Sequence, residues 1–129
     1  MEKKNKFIYL ACPFSHQEEK VREERFNKAN IAAAYLMSLG HVVFSPISHM
    51  HPIAKIANLP KEWDFWEKFD RVFLENSNEL YVLDIDGWDK STGVRAEIEI
   101  AKSLNLPIKL LLYEQVLAGY QNVVGVIKS

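Results

Sequence analysis

Glu97 is the residue whose place in this sequence most clearly suggests chemistry. A helix that begins at Thr92 has an apolar stripe at helical spacing, formed by Val94, Ile98, Ala101 and Leu104. Glu97 falls inside this stripe, whereas Glu99 falls on the opposite face. A buried carboxylate costs free energy unless it is hydrogen-bonded or used, and strongly shifted ionisable groups cluster at functional sites. The position therefore favours an enzyme in which Glu97 is a nucleophile or an acid–base group, over a glutamate whose head reaches water.

The turn before this helix is a candidate anion site. Ser91 and Thr92 are good N-cap residues, and Gly93 permits a close approach of the backbone to a ligand. Free N–H groups at a helix N-terminus attract anions. An ordinary capped helix explains the same residues equally well. The turn matches neither the Walker pattern nor GxGxxG, so it implies neither ATP nor a dinucleotide.

Other residues in predicted loops could contact a substrate. His49 and His51 could each place an imidazole against it, but too few further ligands accompany them for a zinc site. Trp88 lies in a loop, where a tryptophan has less reason to be buried, and could stack on a base. The same loop carries Asp84, Asp86 and Asp89. Such clusters can bind magnesium, but most are solvated, and we expect neither a metal nor a cofactor.

The elements that must position these residues alternate between strand and helix. Strands are predicted at 6–11, 41–45, 79–84 and 108–112, and helices at 16–39, 60–76 and 92–104. Residues 46–59 are predicted to be a long loop with at most a short helical turn. The tail could be helical at 116–120 and form a last strand at 123–127. This alternation predicts an α/β fold, a three-layer sandwich around a parallel sheet of four to five strands, flavodoxin-like or Rossmann-like.

The predicted fold also predicts where a ligand binds. In such sheets the site lies outside the carboxyl ends of the strands, at the switch point in strand order. The loops at that edge, 12–16, 46–59 and 84–91, carry nearly all the unusual polar residues of the chain. This coincidence favours a functional site at that edge.

Composition narrows the class of protein. The 129 residues suit one domain, 1–129, with a proper core. A net charge of −1 implies no strong field for nucleic acid or membrane. The single cysteine rules out an internal disulfide and suits a reducing compartment. The apolar run at 7–12 is too short for a signal peptide or a membrane span. We expect a soluble, cytoplasmic protein that binds small molecules.

Four segments together resemble a known family: FIYLACPFS, LMSLGHVVFSPI, FDRVFLENSNELYVL and GWDKSTGVRAEIEIAKSLNLPI. They are similar to the nucleoside 2-deoxyribosyltransferase-like superfamily. That group includes deoxyribosyltransferases, deoxynucleoside 5′-monophosphate N-glycosidases and cytidylate hydrolases. The resemblance spans roughly residues 7–112, and the S-x-G-V-x-x-E-I element is its most specific part. The family more often has glycine at the position of Cys12.

The resemblance implies roles for individual residues. Glu97 matches the family's nucleophile, and Asp70 matches its second active-site carboxylate, although the residues alone favour an ion pair of Asp70 with a neighbouring basic side chain. Tyr9 matches the tyrosine at the end of the first strand. Ser91 matches the serine that helps to hold a 5′-phosphate. Ser15 is a weaker match to a serine near that phosphate.

The resemblance implies an N-glycosidase that cleaves the base–sugar bond of a nucleoside 5′-monophosphate or nucleoside through a glutamate nucleophile. A deoxyribosyltransferase, which moves the sugar between bases, is the first alternative. A non-catalytic nucleotide-binding sensor is the second, and a flavodoxin-like or response-regulator domain, with Asp84 as the phosphorylated residue, is the third. Family members form oligomers, and Trp63, Phe65 and Trp66 offer more aromatic surface than one core needs. We therefore expect a homodimer or homotetramer.

Overall fold

The computed structural model describes residues 6–128, and for residues 122–128 it describes the backbone alone. Strands and helices alternate along this part of the chain, except that two helices lie between the second and third strands and a short 3-10 turn at Trp88–Lys90 follows the third. The elements are β1 (Phe7–Ala11), α1 (Glu19–Ser38), β2 (Val42–Phe44), α2 (Pro46–Ala57), α3 (Trp63–Glu75), β3 (Glu79–Asp84), α4 (Thr92–Ser103), β4 (Ile108–Leu112) and α5 (Tyr113–Lys128).

The four strands form one parallel sheet in the order β2-β1-β3-β4. Tyr9 on β1 lies beside Phe44 on β2 and Leu80 on β3, which sets the register of the central strands. The chain passes from β1 to β2 on one side and then returns to β3 on the other, so the switch point lies between β1 and β3. The predicted α/β fold with a parallel sheet is confirmed.

Helices cover both faces of the sheet, and β1 is therefore buried on both sides. Successive strand residues point to opposite faces, and Tyr9 and Leu10 accordingly belong to different core clusters. One cluster joins the strands to α1 and α5, through residues such as Ala32 and Val116. The other joins them to α3 and α4, through residues such as Leu74 and Val94. The result is the three-layer sandwich expected from the sequence.

The segment predicted as a long loop is mostly a helix, and this prediction was wrong. Pro46 stands in the first turn of α2, where the fixed φ of proline favours helix, and Asn58 ends the helix in a left-handed conformation with φ of 51°. Pro52 lies inside the helix, where proline removes a hydrogen bond. Ile47 packs against the core cluster under α1 and His51 is buried, so tertiary packing outweighs the local cost.

The strand predicted at 123–127 is also wrong, because α5 continues to Lys128. Helix α5 begins directly after β4, and its Val116 is fully buried beside α1. A Cβ on Gly119 would lie 2.1 Å from the ring of Tyr35, so glycine is the residue that lets the two helices approach this closely. Within the described residues, no helix is both long and apolar enough to cross a membrane.

Candidate active site

A pocket of about 870 Å³ opens at the carboxyl edge of the sheet. Its walls come from the loop after β1, the first turns of α1, helix α2, the α2–α3 connection, and the N-terminus of α4. The side chains of Asp70 and Glu97 are part of its lining. Pockets of a few hundred to about a thousand Å³ accept ligands of nucleotide size. The pocket lies at the edge that the strand–helix alternation predicted.

Glu97 is buried on α4, with only 4% of its surface exposed. The hydroxyl of Tyr9 donates a hydrogen bond to its Oε2. Burial raises the pKa of the Glu97 carboxyl well above its ordinary value, the charge of Asp70 raises it further, and the bond from Tyr9 opposes both. The side chain of Glu99 is 73% exposed and pairs with Lys102. The predicted burial of Glu97 and solvation of Glu99 are therefore confirmed.

The rest of the predicted α4 stripe needs a correction. Its buried apolar residues are Val94, Ile100 and Ala101, whereas Ile98 is only partly buried and Leu104 is exposed. The buried face of α4 therefore includes Ile100, and both α3 and the sheet contact the helix.

Asp70 faces the same space from α3 and is 6% exposed. Its Oδ1 is buried and has no hydrogen-bond partner among the described residues. Burial raises the pKa of Asp70 from 3.8 to about 7, and the neighbouring hydroxyl of Tyr9 lowers it. The predicted ion pair between Asp70 and a neighbouring basic side chain is wrong, since Arg71 pairs with Glu67 at 2.7 Å. An unpartnered buried oxygen is costly, and a ligand hydroxyl or N–H would satisfy it.

The carboxyls of Asp70 and Glu97 and the phenol of Tyr9 thus form a connected buried group. We call the two carboxyls the acid pair. The charge of Asp70 raises the pKa of Glu97, so ionisation of one carboxyl disfavours ionisation of the other. Burial and both carboxylates raise the pKa of Tyr9, which therefore remains a donor. A positive charge that develops above this pair would be stabilised strongly, because little water screens it.

The N-terminus of α4 forms one end of the pocket. Ser91 caps the helix, because its Oγ accepts a hydrogen bond from the Val94 N–H at 3.2 Å. Ser91, Thr92 and Gly93 also line the pocket. A Cβ on Gly93 would make ordinary contact with Trp63 at 3.6 Å, so glycine is not required there by packing. Ser91 is thus a helix cap, as one interpretation of the sequence predicted. Ser91, Thr92 and Gly93 also face the pocket, where they could meet an anion.

Arg25 connects the loop after β1 with the loop after β3, and it was not among the site residues predicted from the sequence. Its guanidinium donates to the carbonyl of Ser15 at 2.9 Å and to the carbonyl of Asp86 at 3.3 Å. It occupies the space beside Gly87, whose φ of 92° favours glycine. Arg25 and Lys90 both line the pocket and add positive charge beside α4. Its position could have indicated a role, because Arg25 lies in the first turns of the helix after β1, and that helix begins at the edge of the sheet where ligands bind.

The remaining predicted residues divide into two groups. Ser15 and His51 line the pocket, and the Ser15 hydroxyl donates to the Lys61 carbonyl at 3.1 Å. Trp88 lies outside the pocket lining, because its ring packs against the core under α4. His49 is exposed and also lies outside it, with its ring 5.8 Å from that of Phe44. The structure does not bring these last two side chains to the acid pair.

Two tryptophans that were expected at an oligomer interface line the pocket instead. They are Trp63 and Trp66, and the Trp66 indole donates to the carbonyl of Pro60 at 2.7 Å. The apolar surface that α3 exposes belongs to Phe69 and Val72. Among the described residues, no three His, Cys, Asp or Glu side chains are grouped so that they could hold a metal ion.

Residues 6–114 match the model of a protein family described as a domain of unknown function, DUF1937. The chain belongs to this family. No curated protein matches the sequence.

A solved structure carries the comparison further. The chain is similar to a 2-deoxyribosyltransferase from the psychrotolerant bacterium Bacillus psychrosaccharolyticus, with a TM-score of 0.56 and 26% sequence identity. The likeness covers 82% of this chain and 72% of that enzyme's chain. That enzyme is described as a biocatalyst for the synthesis of antiviral and antitumoral nucleosides. The resemblance to the nucleoside 2-deoxyribosyltransferase-like superfamily, first inferred from sequence segments, is confirmed.

Proposed function

We propose that this protein cleaves the N-glycosidic bond of a nucleoside 5′-monophosphate or nucleoside, with Glu97 as the nucleophile. One observation carries the proposal: the acid pair with Tyr9 is buried at a pocket, and the buried Oδ1 of Asp70 lacks a partner. An unsatisfied acceptor beside a second carboxyl fits a sugar that carries hydroxyls and develops positive charge. The likeness to a 2-deoxyribosyltransferase supports the same class of substrate.

The chemistry follows from the charge of the transition state. When the C1′–N bond breaks, its electrons leave with the base and C1′ becomes oxocarbenium-like. A carboxylate beneath C1′ stabilises that charge and can bond to it, as in retaining glycosidases. Glu97 must be ionised to act as the nucleophile, and the hydrogen bond from Tyr9 favours that form against the burial and the Asp70 charge that raise its pKa. Asp70 orients the sugar through its free oxygen or protonates the departing base.

The second half of the reaction regenerates Glu97. Water attacks C1′, the bond from C1′ to the Glu97 oxygen breaks, and the free sugar leaves while a proton returns to the acid pair. A second base that attacks C1′ in place of water gives a deoxyribosyltransferase. The likeness to a 2-deoxyribosyltransferase is the observation that favours this alternative. Adding a second base to the assay separates the two outcomes, because only transfer yields a new nucleoside.

The end of the substrate that carries the 5′ group is assigned to the N-terminus of α4. Backbone N–H groups, the Ser91 hydroxyl and the cations Arg25 and Lys90 all line that end of the pocket. The three loop aspartates, Asp84, Asp86 and Asp89, do not line it. Their charges are therefore not placed against a phosphate, which supports a monophosphate over a free nucleoside. The same residue, Asp84, would have to face the pocket in a response-regulator domain.

The test is release of free base from a panel of nucleosides and 5′-monophosphates, measured by chromatography. Glu97→Gln removes the charge at C1′ and keeps the size of the side chain. Loss of a preorganised charge of this kind lowers turnover by roughly 10²–10³-fold or more. Glu99→Gln is the matched control, because it changes an exposed glutamate on the same helix. Equal activity of the two variants, or no release of base from any substrate by the unaltered protein, would contradict the proposal.

A further inference from the structure

A second ionic cluster lies on the pocket wall between α1 and α2, and the proposed mechanism does not use it. The ammonium of Lys55 donates to Glu23 Oε1 at 2.9 Å. The imidazole Nε2 of His51 lies 3.1 Å from the same oxygen. All three side chains line the pocket. The carboxylate of Glu23 is therefore held in place at the surface that a ligand meets.

His51 is itself fixed by its neighbours. The centroid of its ring lies 4.8 Å from that of Phe14 and 4.8 Å from that of Phe26, and the residue is buried. Hydrogen bonds from Lys55 and then His51 lower the pKa of Glu23, so the carboxyl is ionised near neutral pH. An ionised acceptor therefore lies on the pocket wall.

Only one oxygen of this carboxylate is engaged. Both donors contact Oε1, and among the side chains that the structure describes no donor contacts Oε2. The Glu23 side chain is 33% exposed and Glu23 lines the pocket, so a ligand can approach this carboxylate. An ionised carboxylate can only accept hydrogen bonds. A ligand group that meets Oε2 must therefore be a hydrogen-bond donor.

The order of the strands indicates which part of the substrate reaches Glu23. Strands β2 and β3 lie on opposite sides of β1, so the elements that follow them, α2 and the α4 turn, stand on opposite sides of the pocket. The 5′ end of the substrate is assigned above to the α4 side. A sugar held over Glu97 then directs its base toward the α2 side, where Glu23 lies.

We propose that Glu23 selects the base, by accepting on Oε2 a hydrogen bond from an exocyclic amino group. This inference rests on the proposed function, since it takes a nucleobase as the ligand. Cytosine and adenine present such an amino group. Uracil and hypoxanthine present a carbonyl oxygen at the same place, which would leave two acceptors facing each other without a proton.

The test measures binding of free bases, which have no glycosidic bond and so report recognition without catalysis. Quenching of tryptophan fluorescence or calorimetry gives the dissociation constants for cytosine against uracil and for adenine against hypoxanthine. We expect the unaltered protein to prefer the amino base of each pair by roughly ten- to a hundredfold, the value of a hydrogen bond to a charged group. Equal binding, preference for the oxo base, or no binding of any base at millimolar concentration would overturn the inference.

Glu23→Gln sharpens the test, because its amide oxygen can still accept from His51 and Lys55 while its NH₂ group replaces Oε2. The preference should then disappear or invert toward the oxo bases. Glu24→Gln is the control, since Glu24 is exposed and outside the pocket lining. If Glu23 had a purely structural role, Glu23→Gln would weaken the binding of both bases of a pair equally. The ratio of their dissociation constants would stay unchanged, which would overturn the inference. Failure of the glycosidase proposal is separate, because it shows as bound bases without release of base from nucleosides or monophosphates.

Discussion

Replacing Asp70 with asparagine should stabilise the protein, and the gain should depend on pH. The carboxyl of Asp70 has a pKa of about 7 in the folded chain against an ordinary value of 3.8, because burial penalises its charge. Each pKa unit corresponds to about 1.4 kcal/mol, so this rise sets an upper limit of about 4 kcal/mol on the cost of the buried charge. The buried Oδ1 without a partner is the structural expression of that cost.

The direction with pH follows from proton binding. Well below pH 4 the carboxyl is protonated in both the folded and the unfolded chain, so it contributes no pH dependence. Between about pH 4 and 7 the unfolded chain has lost the proton while the folded chain keeps it, so stability falls as the pH rises. Above pH 7 the full cost is present. The free energy of unfolding of Asp70→Asn should therefore equal that of the unaltered protein near pH 4 and exceed it by about 2–4 kcal/mol at pH 8.

Urea unfolding at several pH values between 4 and 9, followed by fluorescence or circular dichroism, measures this difference. Glu75→Gln is the matched control, because Glu75 is exposed at the C-terminal end of the same helix. Its difference from the unaltered protein should stay small at every pH. A stability gain for Asp70→Asn that is absent, or that is the same at pH 5 and pH 8, would refute the account of a buried charge. Because Asp70 is also proposed to act in the reaction, this variant should lose turnover while it gains stability.

Four further predictions concern the reaction and the assembly. Tyr9→Phe removes the bond that lowers the pKa of Glu97, so the acid limb of the pH–rate profile should move to higher pH, and an unmoved limb would contradict this. A 5′-monophosphate should exceed its nucleoside in kcat/KM by roughly ten- to a hundredfold, and Ser91→Ala should narrow that ratio; a preference for the nucleoside would mean that Ser91 is only a helix cap. Activity should persist in EDTA, and its loss with recovery on adding magnesium or zinc would show a metal requirement. Light scattering should give a homodimer or homotetramer, joined through apolar surface such as Phe69 and Val72, and a monomer at micromolar concentration would refute this.

Local patterns in the sequence were sufficient for the four strands of the sheet, for helices α1, α3 and α4, and for the burial of Glu97. Helical spacing places that carboxyl on the apolar side of α4. The apolar runs of β1 and β3 likewise require a sheet that is covered on both faces. From these elements the fold class, and the edge of the sheet that holds the pocket, could be predicted. The specific phase of the stripe could not, since it depends on the helix that packs beside α4.

The membership of the site was decided by tertiary structure, because its contacts join residues far apart in the chain. Tyr9 and Glu97 are 88 residues apart, and Glu23 and His51 are 28 apart. Local composition suggested a rim position for Asp70, but packing of α3 against α4 buries it beside Glu97.

Residues 46–59 show the same dependence on distant contacts. Two prolines and several polar residues predict a loop, yet burial of His51 against Phe14 and Phe26 favours a helix. Spacing along a chain determines which side chains share a face. Only the packing of those faces determines which charges are removed from water, and the free-energy cost of that removal is what gives the acid pair its altered pKa values.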